Sequence, residues 1–164
     1  MRLKIWNMSL RFFLPVLLCT AFFVSPAQKK KKRRKAKIEH VISTGKSYIG
    51  TPYKWGGNTK AGIDCSGLIH NSYKTIGIKL PRTAKEQSKV GKKRGWEGIR
   101  RGDLVYFKFK KKGEKWFHSG MITHVSDEKI LFVHASSSRI VRSRKASISS
   151  LLCRRRYSGS FVWP

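Results

Sequence analysis

The chain has 164 residues and a formal net charge of +29, with 37 Lys and Arg against 8 Asp and Glu. Its composition, 40% hydrophobic and 12% aromatic, supplies enough apolar material for a packed core and excludes a wholly disordered chain. The length suits one domain, and the charge selects anionic partners.

Arg2, Lys4 and Arg11 precede an apolar stretch over residues 12–24, which gives way to Ser25-Pro26-Ala27. This order predicts a secretory signal peptide over residues 1–27, cleaved after Ala27. Thirteen apolar residues with Pro15 among them fall short of the roughly 20 a spanning helix needs. Lipid attachment at Cys19 is disfavoured because Leu17 and Leu18 stand where a small residue is expected. The expected location is therefore secreted or periplasmic. Residues 28–37, with Lys29, Lys30, Lys31, Lys32, Arg33, Arg34, Lys35 and Lys37, read as a solvated basic tail rather than part of a fold. An exported tail of this kind meets anionic envelope polymers and lipid head groups, and no nucleic acid is expected.

Residues 38–164 remain for the folded domain. Ile38, Val41, Ile42, Tyr48 and Ile49 recur at near-helical spacing and stop at Gly50-Thr51-Pro52. After a loop, Asp64 caps a second predicted helix that begins at Cys65, presents Leu68, Ile69, Tyr73 and Ile76, and ends at Gly77. Thr83 and Glu86 have the spacing of a capping box, which predicts a third short helix running toward Val90. The period then changes. Short β-branched and aromatic runs at 104–107, 121–125, 130–133 and 139–141, with a last one at 157–163, predict an antiparallel sheet. Helices first and strands afterwards make the class α+β.

Cys65 at a helix start meets unsatisfied backbone N–H groups and the positive end of the helix dipole, both of which favour a thiolate. Gly67 is expected to let neighbouring backbone approach. A disulfide between Cys65 and Cys153 is the competing expectation in an oxidising compartment. A nucleophilic cysteine also needs a histidine base and a group that orients it. His40 and His70 are expected to face solvent, and His124 to sit by the turn Ser126-Asp127-Glu128. His118, before Ser119-Gly120, and His134, at the end of Phe132-Val133, remain, and the hairpin register that would relate them is not readable. No close Cys and His pairing suggests a metal site, and no cofactor is expected.

Taken together, Pro52-Tyr53-Lys54-Trp55-Gly56-Gly57, Asp64-Cys65-Ser66-Gly67-Leu68, Arg101-Gly102-Asp103-Leu104-Val105, His118-Ser119-Gly120-Met121 and Phe132-Val133-His134-Ala135-Ser136 resemble the NlpC-type papain-like cysteine peptidases of bacterial cell walls. The resemblance covers about residues 38–164. It implies a circularly permuted papain-like fold with N-terminal helices packed on a small antiparallel sheet. It further implies a peptidoglycan endopeptidase acting through a thioester acyl-enzyme, with Cys65 as nucleophile, His118 as base and then acid, and His134 as its orienter. Tyr53 matches the family tyrosine that helps stabilise an oxyanion, while Asp64 and Ser66 are expected to hold the free amine of a stem peptide. A monomer is expected. Ser119 departs from the pattern, standing where the family has a small apolar residue. Two alternatives use the same residues differently: an acyltransferase with the same triad, or a catalytically silent cationic protein that binds the envelope.

Overall fold

A computed structural model describes residues 25–111, 114–136, 141–146 and 160–163. The chain divides into two units, Met1–Lys35 and Ala36–Pro164. The expected signal peptide up to Val24, Cys19, Cys153 and the expected strand residues 139, 140 and 157–159 lie outside the described residues.

Helix α1 spans Pro26–Lys46 and therefore begins well before Ile38. The basic block is helical, a backbone state that the reading of a solvated basic tail left open. Lys and Arg are good helix formers, the block holds no Gly, and Pro26 is tolerated in the first turn. Its side chains are exposed throughout residues 25–37, so helicity does not depend on burying them. Among the described residues no helix is long and apolar enough to cross a membrane.

In the second unit, Val41 and Ile42 of α1 enter the core. A small hairpin, β1 (Asn58–Thr59) and β2 (Gly62–Ile63), leads into α2 (Cys65–Lys74), and the single turn α3 (Ala84–Gln87) follows. Helix α3 is shorter than expected, but its cap is the predicted one: Thr83 accepts from Glu86 N, and its hydroxyl donates to Glu86 Oε2 at 2.9 Å. Then come β3 (Lys92–Arg94), a 3-10 turn at Trp96–Gly98, β4 (Leu104–Lys111), β5 (Glu114–Val125), β6 (Ile130–Ala135), β7 (Val141–Ala146) and β8 (Ser160–Trp163). The six long strands form one sheet in the order β3-β8-β4-β5-β6-β7, with every neighbouring pair antiparallel.

Helix α2 packs on β5 and β6. Leu68, Ile69 and Tyr73 of the helix meet Leu104, Tyr106, Met121, Val133 and Ala135 of the sheet in one buried cluster. Truncating such a residue, Leu68→Ala for example, costs about 2–5 kcal/mol. The Tyr73 hydroxyl donates to Gly102 O, tying the helix to the loop before β4. A second cluster, Ile99, Val105, Ile122 and Ile130 with Phe107 and Phe132 against it, involves the alternate residues of the same strands. Gly120 shows why β5 admits no side chain there: a Cβ would stand 2.9 Å from Phe132 Cδ2 and 3.3 Å from Val133 O. The resulting α+β domain agrees with the class read from the sequence.

Candidate active site

Helix α2 delivers Cys65 to the sheet. Asp64 caps it in an extended conformation and accepts from Gly67 N at 2.6 Å, so the chain turns abruptly into the helix with its first N–H groups near the sulfur. Gly67 is required by crowding. A Cβ there would lie 2.5 Å from Gly57 O and 3.1 Å from Asp64 Oδ1, with Arg82 Nη2 beyond at 3.4 Å. The close backbone approach expected of Gly67 is thus present, and the backbone that approaches is the Gly56–Gly57 loop.

Asp64 is also the centre of a network that sequence reading missed. Its Oδ1 accepts from Ser66 Oγ at 3.1 Å and Arg82 Nη1 at 2.9 Å, and its Oδ2 accepts from Gly56 N at 3.0 Å and Arg82 Nη2 at 2.8 Å. Arg82 further donates to Gly57 O and Ser66 Oγ, each at 3.0 Å. One guanidinium therefore joins the glycine loop, the helix cap and the first helical residue. Asp64 and Ser66, expected to hold a substrate amine, are committed to this network. Gln87, fully buried, donates to Ser66 O at 3.0 Å and Pro81 O at 2.8 Å and locks α3 against the head of α2.

These elements wall a cleft of about 440 Å³ lined by Tyr53, Trp55, Asp64, Cys65, Ser66, Arg82, Lys85 and Phe117, among others. Cys65 is a free thiol, 8% exposed, so the structure does not pair it in a disulfide. Burial pushes its pKa up. Ser119, through backbone and hydroxyl, and the Ser66 N–H oppose that rise, while Asp64 adds to it. The helix start does favour thiolate as expected, yet desolvation outweighs it and the resting group is the thiol. Tyr53 is close enough to feel Cys65 and Asp64, and burial with these two charges pushes its phenol up to about 12. It is a neutral O–H donor at the cleft.

Strands β5 and β6 bring the two remaining predicted histidines together. His118 Nε2 and His134 Nδ1 are 2.8 Å apart, with the rings edge to face. Phe107, directly opposite His118 on β4, stacks on it, and Phe132 packs by His134. Burial in this aromatic setting, with His134 beside it, lowers the His118 pKa from 6.5 to about 4, so the imidazole is neutral at pH 7. Cys65 reaches β5 at Ser119, the residue after His118. Successive strand residues face opposite ways, so Ser119 shares the α2 face with Tyr106 while His118 and His134 sit on the other face with Phe107 and Phe132 and do not line the cleft. The structure thus joins the two histidines to each other, and no hydrogen bond joins Cys65 to His118 among the described residues.

His40 and His124 are exposed, as expected. His70 is half-buried instead, with Nδ1 2.8 Å from Leu80 O, so it braces the loop after α2 rather than facing solvent. Among the described residues no group of His, Cys, Asp and Glu is arranged to hold a metal ion. Arg82 had a signal in the sequence, an arginine directly before a capping box, but its partner lies 18 residues upstream and no local pattern names it. Ser119 had one in its departure from the family pattern, and Tyr106 had none.

The sequence matches the NlpC/P60 family over residues 50–157, and the chain belongs to that family. It is 35% identical over 89 residues to the γ-D-glutamyl-L-lysine dipeptidyl-peptidase of Bacillus subtilis, an alignment covering 54% of this chain and 30% of the relative. It is 36% identical over 99 residues to a probable endopeptidase NlpC of Escherichia coli, covering 59% and 61%. The crystal structure of an NlpC/P60 family protein from Bacillus cereus superposes with a TM-score of 0.60 at 31% identity, over 75% of this chain and 39% of that one. The chain thus spans less than two thirds of the length of each of these proteins.

Proposed function

We propose that this protein is an exported cysteine endopeptidase that cuts an amide bond in the stem peptide or cross-bridge of peptidoglycan. The observation that carries the reading is a free thiol at the head of a helix, lining a peptide-sized cleft and packed on the strand that carries His118, whose imidazole is hydrogen-bonded to His134. In this reading His118 Nε2–H is the donor to His134 Nδ1, the tautomer that leaves His118 Nδ1 as the basic nitrogen. The Cys65 proton passes to that nitrogen as Sγ attacks the scissile carbonyl. The Tyr53 hydroxyl and the Cys65 N–H are the donors for the oxyanion that develops. His118 then returns the proton to the leaving amine, an acyl thioester remains on Sγ, and water activated by the same imidazole releases the acid.

The names of the relatives, a γ-D-glutamyl-L-lysine dipeptidyl-peptidase among them, support a wall peptide as substrate. Arg82 and Lys85 in the lining suit a carboxylate-bearing peptide. The exposed basic segment of α1 supplies an electrostatic hold on anionic envelope polymers or lipid head groups outside the cytoplasm. Mass spectrometry of purified peptidoglycan digested by the protein tests the reading. New amine and carboxyl ends at one stem or cross-bridge bond are expected, and their absence, or transfer of the acyl group to another amine, refutes hydrolysis. Deleting residues 28–37 should weaken sacculus binding at low salt, leave turnover of a soluble stem peptide unchanged, and lose its effect as salt rises. Loss of soluble-peptide turnover at every salt concentration would make the segment part of the catalytic unit.

A further inference from the structure

Two buried hydroxyls on the sheet face against which α2 packs have no hydrogen-bond partner among the described residues. Ser119 is completely buried and Tyr106 is 2% exposed, and among the described residues neither Ser119 Oγ nor Tyr106 Oη finds a nitrogen or oxygen partner. They are directly opposed in the β4–β5 ladder, so their side chains share one face. It is the face on which α2 packs, since Tyr106 belongs to the same buried cluster as Leu68 and Tyr73. Both residues interact with Cys65, Ser119 through its backbone and hydroxyl and Tyr106 through its phenol.

A buried hydroxyl without a partner is a cost that native structures rarely tolerate. A thiol sulfur compensates little, being a weak acceptor, whereas a thiolate is a charged acceptor and forms much stronger hydrogen bonds. We propose that Ser119, backed by Tyr106, donates to Cys65 Sγ once its proton has left, and so acts as a positioning residue that holds the thiolate. The pair is mismatched with the resting thiol and matched to the charged sulfur. It therefore favours the ionised state selectively, opposing the burial that disfavours it.

Tyr53, from the loop before β1, and Tyr106, on β4, are both raised by burial and stay protonated. Asp64 at the helix head is ion-paired with Arg82 at 2.8 Å. His118, next to Ser119 on β5, is neutral above about 4.

The test is the rate of iodoacetamide alkylation of Cys65 across pH, followed on the Cys65 peptide by mass spectrometry so that Cys153 does not contribute. Sγ displaces iodide only as thiolate, so the profile reports its ionisation. Ser119→Ala removes one buried oxygen with little change of shape. It should move the profile to higher pH and slow alkylation about tenfold at any pH on the rising limb. Tyr106→Phe should move it in the same direction by less. A Ser119→Ala profile superimposable on wild type in a protein with unchanged circular dichroism overturns the proposal. If Ser119→Ala does not fold, an unmoved Tyr106→Phe profile overturns it instead. The inference takes Cys65 as the nucleophile of the proposed peptidase, but alkylation needs no peptide substrate. A shifted profile in a protein that cleaves no wall peptide would sink the substrate assignment and leave this one standing.

Discussion

Replacing Arg82 with Met keeps much of the side chain's length and apolar bulk and removes the guanidinium that joins three segments. Four hydrogen bonds go with it, two to Asp64 and one each to Gly57 O and Ser66 Oγ. Breaking a buried charge pair by removing one partner typically costs about 3–5 kcal/mol. The Arg82 side chain is 37% exposed, against 10% for Asp64, so water already screens part of the interaction. Asp64 also keeps Gly67 N, Gly56 N and Ser66 Oγ after the change. A loss of about 2–3 kcal/mol follows, which lowers Tm by roughly 5–10 °C for a domain of this size. Chemical denaturation of wild type, Arg82→Met, Asp64→Asn and the double variant closes a cycle. A coupling of about 1–2 kcal/mol is expected, because the second change removes a charge the first has already orphaned. If each single variant costs under about 0.5 kcal/mol, or the two costs simply add, the guanidinium does not hold the cap and the reasoning fails.

His118→Ala should reduce wall-peptide cleavage by at least about a thousandfold, while His134→Gln, which keeps a polar side chain by His118, should cost less, as expected of a base and its orienter. Equal losses from the two would make His134 more than an orienter, and an active His118→Ala protein would remove the base assignment. Because His118 is held neutral down to about 4, the acid limb of kcat should fall near that pH rather than near 6.5. Stability follows the same group. Below 6.5 the unfolded chain takes up a proton that the folded one refuses until about 4, so ΔG of unfolding should drop by about 3 kcal/mol across that window. In His118→Phe this part of the pH dependence should vanish, and its persistence would assign it elsewhere. Gly67→Ala, whose Cβ would meet Gly57 O at 2.5 Å, should destabilise by about 1–3 kcal/mol and impair cleavage, although alanine is the better helix former. A gain in Tm would show that the loop yields freely.

What the sequence by itself determined is local. The cap at Asp64, the capping box from Thr83 to Glu86 and the helix start at Cys65 are short-range hydrogen-bonding patterns, so a few neighbouring residues suffice to specify them. The order of helices before β-branched runs fixed the α+β class, and five spaced motifs carried the family resemblance. In the basic block two local signals act side by side. The density of charge in residues 28–37 argued for a tail, while the helix propensity of lysine and arginine decided the backbone.

The tertiary structure alone decided which groups meet. The pairing of His118 with His134 depends on the β5–β6 register, which includes a shift between Ile122 and His124 that no pattern of residues announces. Arg82 reaches Asp64 across 18 residues, and Ser119 meets Cys65 across 54, because α2 is laid on the sheet with its first turn against β5. The ionisation of the thiol is likewise a balance struck in three dimensions. The helix start favours thiolate and is visible in the sequence, but burial opposes it more strongly, and burial belongs to the packed fold rather than to any segment of the chain.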